Sequence, residues 1–212
     1  MERKIQIIGV NLKRFLLPHI LICIILIIFS PLFIGIENLD AQKSAQVLEM
    51  FAALFGIIML TPLCLPEMDN DIRELVESKY VPYIGVVIIR IMEALFFLMV
   101  IIALYTIMLK LNNCTFPFLK YLLGTFAEAY FLGGLGFCAC VVFNQIAIGY
   151  LLPVMYYIMA IGGGKKLLGS FYPFSMIYAS YQEKVNLAVL GTVLTIAGLY
   201  NICFYKRIKV KV

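Results

Sequence analysis

The sequence predicts an all-α membrane protein with six transmembrane helices. Of its 212 residues, 63% are hydrophobic and only 14% are charged, and the mean hydropathy is +0.99. A soluble domain of this size could not bury so much apolar surface, so the solvent must be lipid. Only helices and closed barrels satisfy the backbone inside a bilayer, and apolar runs of about 20 residues without alternation favour helices. We treat residues 1–212 as a single transmembrane domain.

The N-terminal residues 1–15 alternate basic with apolar side chains. This pattern predicts a short interfacial helix on the inner leaflet, held by anionic lipid; the alternative is a frayed basic flank. The apolar run that follows is too long for a cleaved signal peptide, so we expect it to remain as the first membrane helix.

Six apolar runs set the topology, at 16–36, 47–65, 82–109, 119–142, 145–162 and 186–204. An even number of spans places both termini on one side. With the N-terminus inside, ten Lys and Arg residues lie inside and six outside (Lys184 among them), while Arg90 falls within a helix. This excess predicts a multi-pass protein of the cell membrane with both termini cytoplasmic. The net charge of +5 sits mainly at the chain ends, so we expect a lipid bilayer and no nucleic acid as partner.

The third run is longer than a bilayer requires, since 82–109 spans about 40 Å against about 30 Å of hydrocarbon. Arg90 therefore falls at the inner interface. It either pairs with Glu93, three residues later on the same helix face, or extends to lipid phosphate.

The fourth run contains an ionisable residue, Glu128, and a cluster of three glycines, Gly133, Gly134 and Gly136. An acid inside a span is costly and faces a partner or a cavity. Glu128 is therefore either part of a translocation path or inter-helix contact, or a protonated or hydrogen-bonded structural residue. The glycines predict close helix packing.

Residues 163–184 are too apolar for an open loop and too broken to span a membrane. They predict a re-entrant or interfacial segment on the outer side. Phe171, Tyr172 and Phe174 are candidates for an outer gate, and simple membrane anchoring is the alternative.

The charged segment 66–80 carries five acids against two bases and lies, by the charge count, in the cytoplasm. Asp71 and Glu74 form a capping box, which predicts a helix of about two turns. Its acidic character excludes a lipid anchor, and its apolar stripe suits a groove on another protein; a solvated loop with one helical turn is the alternative. The residues expected to make this contact are Glu67, Met68, Asp71, Ile72, Glu74, Leu75, Val76 and Lys79.

Taken together, these features resemble a type-2 ATP-binding-cassette permease, the transmembrane subunit of an exporter. The resemblance lies in topology and covers the whole chain. It implies that 66–80 is a coupling helix docking on a separate ABC ATPase subunit, that 1–15 is an elbow helix and that 163–184 is the outer re-entrant segment. It also implies a dimer, formed with a second copy or a homologous permease, and ATP and Mg held by the partner ATPase.

The sequence contains no G-x-x-x-x-G-K-[ST] motif, so we expect this chain to bind no nucleotide, cofactor or metal itself and not to be an enzyme. His19 is the single histidine, and no cluster of catalytic side chains accompanies it. Two alternatives remain. A secondary transporter or channel would be marked by paired acids in mid-membrane and an internal repeat. An intramembrane enzyme would need clustered catalytic side chains, which the residue content does not favour. We expect the six cysteines to be buried small hydrophobes: Cys23, Cys64, Cys114, Cys138, Cys140 and Cys203.

Overall fold

The computed structural model describes residues 9–65 and 83–209, and this part of the chain is helical without strands. Six membrane helices are labelled α1 to α6 in chain order. Helix α1 consists of a π-helical turn, Leu12–Leu16, and Leu17–Phe33; α2 consists of Ala41–Val47, a π-helical turn Leu48–Ala52, Leu54–Leu60 and a 3-10 turn Thr61–Cys64. The others are α3 (Tyr83–Leu111), α4 (Phe118–Phe143), α5 (Ile146–Leu168) and α6 (Gln182–Lys209), with 3-10 turns at Gly169–Phe171 and Met176–Tyr178 between α5 and α6.

All six helices are long and apolar enough to cross a membrane, which confirms the all-α class and the predicted number of membrane helices in the part of the chain that the structure describes. The helices extend beyond several of the predicted apolar runs. Helix α5 continues past the glycines at 162 and 163 and bends at Gly164, where φ is +60°. Helix α6 begins at Gln182, four residues before the apolar run, because its first turn is polar but buried against the bundle.

The connections divide the bundle into two ends. At one end, called the loop end, the 34–40 and 112–117 connections are joined by backbone hydrogen bonds from Asn38 N–H to Asn112 O (3.0 Å) and from Thr115 N–H to Leu39 O (3.1 Å). Residues 169–181 lie at this end as well. The start of α1, the end of α2, the start of α3 and the end of α6 lie at the other, called the terminal end.

Helix α4 is the centre of the bundle and packs against α2, α5 and α6. Glycines permit the close approach. A Cβ built at Gly56 on α2 would lie 1.8 Å from the backbone oxygen of Ala129, and one at Gly134 would lie 3.2 Å from the backbone oxygen of Gly191 on α6. The close packing predicted for the glycines of the fourth run is confirmed.

Large apolar side chains cover the outward faces of α1 and α5. They include Ile28, Leu32, Leu151 and Ile158, each more than half exposed. Such faces suit contact with lipid tails or with another membrane helix.

The six cysteines are expected to be buried small hydrophobes, but two of them are paired. A disulfide joins Cys64, at the terminal end of α2, to Cys140 on α4, with the two Cα atoms 6.4 Å apart. The small residues that bring α2 and α4 together also bring these thiols together.

Two predicted elements fall wholly or partly outside the described residues. The coupling helix 66–80, with all eight of its predicted contact residues, lies outside them. Of the predicted elbow helix, residues 1–8 lie outside, and the remainder continues without a break into the first span, which runs Gly9–Leu32.

Candidate functional site

Three charged side chains from three different helices meet inside the bundle. Lys184 Nζ on α6 lies 2.7 Å from Glu49 Oε1 on α2 and 2.5 Å from Glu128 Oε2 on α4. The two glutamate side chains are fully buried and the lysine side chain is 4% exposed. These three residues are called the buried cluster. It holds two carboxyl groups and one amine in the interior of the helix bundle, nearer to the loop end than to the terminal end.

Local helix geometry places each of the three groups. Glu49 lies in the π-helical turn Leu48–Ala52, and single π-helical turns are frequent at functional sites. Glu128 lies on the buried face of α4, one turn before its glycines. Lys184 lies in the first turn of α6, where the helix dipole disfavours a cation. The two carboxyl groups compensate for that unfavourable position.

The irregular segment 169–181, called the fold-back segment, supplies backbone groups to the buried cluster. Met176 N–H donates to Glu49 Oε1 at 2.7 Å and Ile177 N–H to Glu49 Oε2 at 3.2 Å. The carbonyl oxygen of Pro173 accepts a hydrogen bond from Lys184 Nζ. Irregular backbone at membrane depth is tolerated only where protein buries it, and here charged side chains satisfy its polar groups.

Two of the three gate candidates are buried beside the cluster. Phe174 is fully buried and packs edge-to-face on Tyr172, with ring centroids 5.7 Å apart, and on Tyr157 of α5, at 5.4 Å. Burial raises the pKa of Tyr172, and nearby Tyr178 and the two cluster carboxylates raise it further. Phe171, in contrast, is 44% exposed, and its carbonyl oxygen accepts a hydrogen bond from Tyr156 OH on α5 at 2.5 Å.

Three polar oxygens on α4 and in the fold-back segment are buried without a hydrogen-bond partner among the described residues. They are Glu128 Oε1, Thr125 Oγ1 one turn earlier on α4, and Ser175 Oγ in the fold-back segment. Buried polar atoms without partners are uncommon and call for an explanation. Glu128, singled out in the sequence as an intramembrane acid, is thus an inter-helix contact with one oxygen unused.

A second ion pair joins α5 to the first turn of α6, next to the end of the fold-back segment. Lys165 Nζ on α5 lies 2.7 Å from Glu183 Oε1, and the Ser180 hydroxyl donates to the same carboxylate. The Lys165 side chain is half exposed, so this pair is solvated on one side. A solvated pair contributes little to stability compared with a buried one.

Arg90 is buried at the terminal end and joins α3 to α1. Its Nε donates to Asn11 Oδ1 at 3.1 Å, and its guanidinium carbon lies 5.4 Å from the centroid of the Phe15 ring. Neither carboxylate oxygen of Glu93 has a hydrogen-bond partner among the described residues. Arg90 thus hydrogen-bonds to Asn11 on α1, and both alternatives for it, pairing with Glu93 and extension to lipid phosphate, stay predictions.

No protein-family profile, no curated protein and no solved structure matches the chain.

Proposed function

We propose that this chain is the membrane-spanning permease subunit of an ATP-driven exporter, coupled through residues 66–80 to a separate ATPase. The order of the spans carries the proposal. Six successive membrane helices put the start of α1, the end of α2, the start of α3 and the end of α6 at the terminal end, whereas the fold-back segment lies at the loop end. The positive charges of the chain favour a cytoplasmic terminal end, the side on which ATP is available.

Helix α2 is the path by which a movement of residues 66–80 would reach the buried cluster. It has the largest buried share of the six spans. Cys64 at its terminal end and Glu49 are 15 residues apart, about 22 Å along a helix. A displacement of α2 driven by the ATPase would therefore move Glu49 relative to Lys184 and to the fold-back segment.

A second permease unit completes the pathway in this proposal. Helix α4, at the centre of the bundle, packs closely against α2, α5 and α6, and the exposed apolar faces of α1 and α5 suit a second copy or a homologous permease. ATP and Mg are held by the ATPase partner, which supplies the free energy.

Co-purification tests the coupling. The tagged chain is solubilised from its native membranes, and the proteins that accompany it are identified by mass spectrometry. We expect an ATP-binding-cassette ATPase in near-equal amount, reduced at least about tenfold by Leu75→Asp or Glu74→Lys, because each places a wrong charge in the proposed contact (a tenfold loss is 1.4 kcal/mol).

Lys43→Glu is the matched control, since Lys43 lies in α2 near the loop end. It reverses one charge, in the opposite direction to Glu74→Lys, and leaves the proposed contact intact. Absence of an ATPase from the wild-type preparation, or full recovery of it with both contact variants, would rule out the coupling.

A secondary transporter is the second candidate, and the buried cluster favours it. Paired acids with a lysine inside the membrane are typical of ion-coupled carriers. Transport into inverted vesicles separates the two candidates. ATP drives an exporter in the absence of an ion gradient, whereas a secondary transporter needs the gradient and not ATP.

A further inference from the structure

The buried cluster contains more acid than base. Glu49, Glu128 and Lys184 together have a net charge of −1 if all three are ionised, and all lie in the interior. An uncompensated charge in an interior of low dielectric is strongly disfavoured, and such sites neutralise it by taking up a proton.

Hydrogen-bond donors are divided unequally between the two carboxyl groups. Glu49 accepts from Lys184 and from two backbone N–H groups, those of Met176 and Ile177. Three such donors stabilise the ionised form of a carboxyl group. Glu128 accepts only from Lys184, through Oε2, and its Oε1 has no partner among the described residues.

Lys184 has no further donor to offer. An ammonium group has three N–H bonds. In this structure they point to Glu49, to Glu128 and to the carbonyl oxygen of Pro173. The lysine therefore remains charged and compensates one carboxylate only.

We propose that the buried cluster is a proton-binding site, in which Glu128 carries the proton while the fold-back segment is packed against the bundle. The proton resides on Oε1, the oxygen without a partner. One carboxylate and one ammonium then remain, and the cluster is neutral. Thr125 Oγ1, one turn earlier on α4, and Ser175 Oγ, in the fold-back segment, are likewise buried without a hydrogen-bond partner among the described residues.

Release of the proton couples the site to movement of the fold-back segment. When Glu128 loses its proton, the cluster holds a second carboxylate, which only water or a further cation can stabilise. Entry of water or of a cation needs an opening beside Pro173, Met176 and Ile177. The titratable groups that face Glu128 among the described residues are Glu49 on α2, Tyr156 and Tyr157 on α5, Tyr172 in the fold-back segment and Lys184 on α6.

Infrared difference spectroscopy of the purified protein in lipid nanodiscs at neutral pH tests the proposal. A protonated carboxyl group has a C=O stretch separate from that of a carboxylate. Subtracting each variant from the wild type cancels other protonated acids. We expect the wild type minus Glu128→Gln spectrum to show one such band, whereas the Glu37→Gln control, an exposed acid at the loop end, shows none.

The charge balance of the cluster also predicts the infrared spectra of Glu49→Gln and Lys184→Gln. These two variants test the proposal even if Glu128→Gln does not fold. Glu49→Gln leaves one acid and one base, so Glu128 ionises and the band is lost. Lys184→Gln leaves two acids without a base, so a second carboxyl group takes up a proton and the band grows about twofold, one added proton per protein. A wild type without the band, or Glu49→Gln and Lys184→Gln spectra equal to wild type, would overturn the proposal.

The site is independent of the proposed energy source. Failure of the ATPase to co-purify leaves the infrared result unchanged, and loss of the infrared band leaves the ATPase contact unchanged.

Discussion

The backbone N–H of Met176 donates to the carboxylate of Glu49 at 2.7 Å, across 127 residues of sequence. This bond joins the fold-back segment to α2, the helix that precedes the charged segment 66–80. Lys184 contacts the same Glu49 oxygen, so the segment, α2 and α6 depend on one carboxyl group.

Removal of the Glu49 carboxyl group should destabilise the fold strongly. Glu49→Ala leaves two backbone N–H groups without an acceptor and Lys184 with one carboxyl partner fewer. Breaking a buried ion pair on one side costs roughly 3–5 kcal/mol. Thermal unfolding in detergent measures the effect, and Glu37→Ala, at an exposed position, is the control. An unchanged midpoint in Glu49→Ala would show that the cluster is not formed.

Glu128 and Lys184 should be energetically coupled. Their atoms are 2.5 Å apart, and contacting residues have interaction energies of about 0.5–3 kcal/mol in double-mutant cycles. We expect Lys184→Met to be the more destabilising single change, because it leaves two acids facing each other. Glu128→Gln together with Lys184→Met should be less destabilising than the sum of the two. If the shift in unfolding midpoint of the double variant equals the sum of the two single shifts, direct contact between Glu128 and Lys184 is contradicted.

The sequence predicts the six spans because each one is apolar along its own length, so its lipid environment can be inferred from local composition alone. It also identifies Glu128 and the glycines of the fourth run, since an acid or a row of small residues stands out among large apolar side chains. The segment 66–80 stands out because it is charged, whereas the runs on either side of it are apolar.

Glu49 and Lys184 are not among the site residues that the sequence predicts. Glu49 lies near the start of the second apolar run and Lys184 in a predicted outer loop, so neither differs locally from an ordinary flanking charge. Their partners lie far away in sequence: Lys184 is 56 residues from Glu128. One signal was present: a buried acid needs a cation, and few cations lie close to the apolar runs. The fold-back geometry that buries Lys184 depends on packing and has no local pattern.

Gly56 should not tolerate a side chain. A Cβ at this position would lie 1.8 Å from the backbone oxygen of Ala129, so α2 and α4 would have to separate. Overpacking costs typically about 1–3 kcal/mol, and a backbone contact puts Gly56→Ala at the upper end. Gly162→Ala is the matched control, because nothing lies within 4 Å of its Cβ. Equal unfolding midpoints for the two variants would contradict the α2–α4 packing.

The Cys64–Cys140 pair should form a cross-link that depends on conditions. The pair lies at the terminal end, which the charge count places towards the reducing cytoplasm. We expect both thiols to react with maleimide in protein denatured directly from cells, and to be protected after treatment of membranes with an oxidant. Mass spectrometry of peptides identifies the link, and buried Cys23 serves as the unpaired control. Absence of the 64–140 link after oxidation would contradict the pairing.

Access to Ser175 should report whether the fold-back segment is packed. Ser175 is fully buried, whereas Tyr178, three residues later, is 65% exposed. In a background without native cysteines, we expect Ser175→Cys to react at least about tenfold more slowly with a membrane-impermeant maleimide than Tyr178→Cys, since reaction requires the segment to open (a tenfold lower open population is 1.4 kcal/mol).

Adding Glu49→Gln to Ser175→Cys should raise its labelling rate towards that of Tyr178→Cys, because the neutral amide is a weaker acceptor for the N–H groups of Met176 and Ile177. Adding Glu37→Gln should leave the rate unchanged. If Ser175→Cys labels as fast as Tyr178→Cys in the background that retains Glu49, the segment is open at rest. A buried carboxyl group then does not hold it closed.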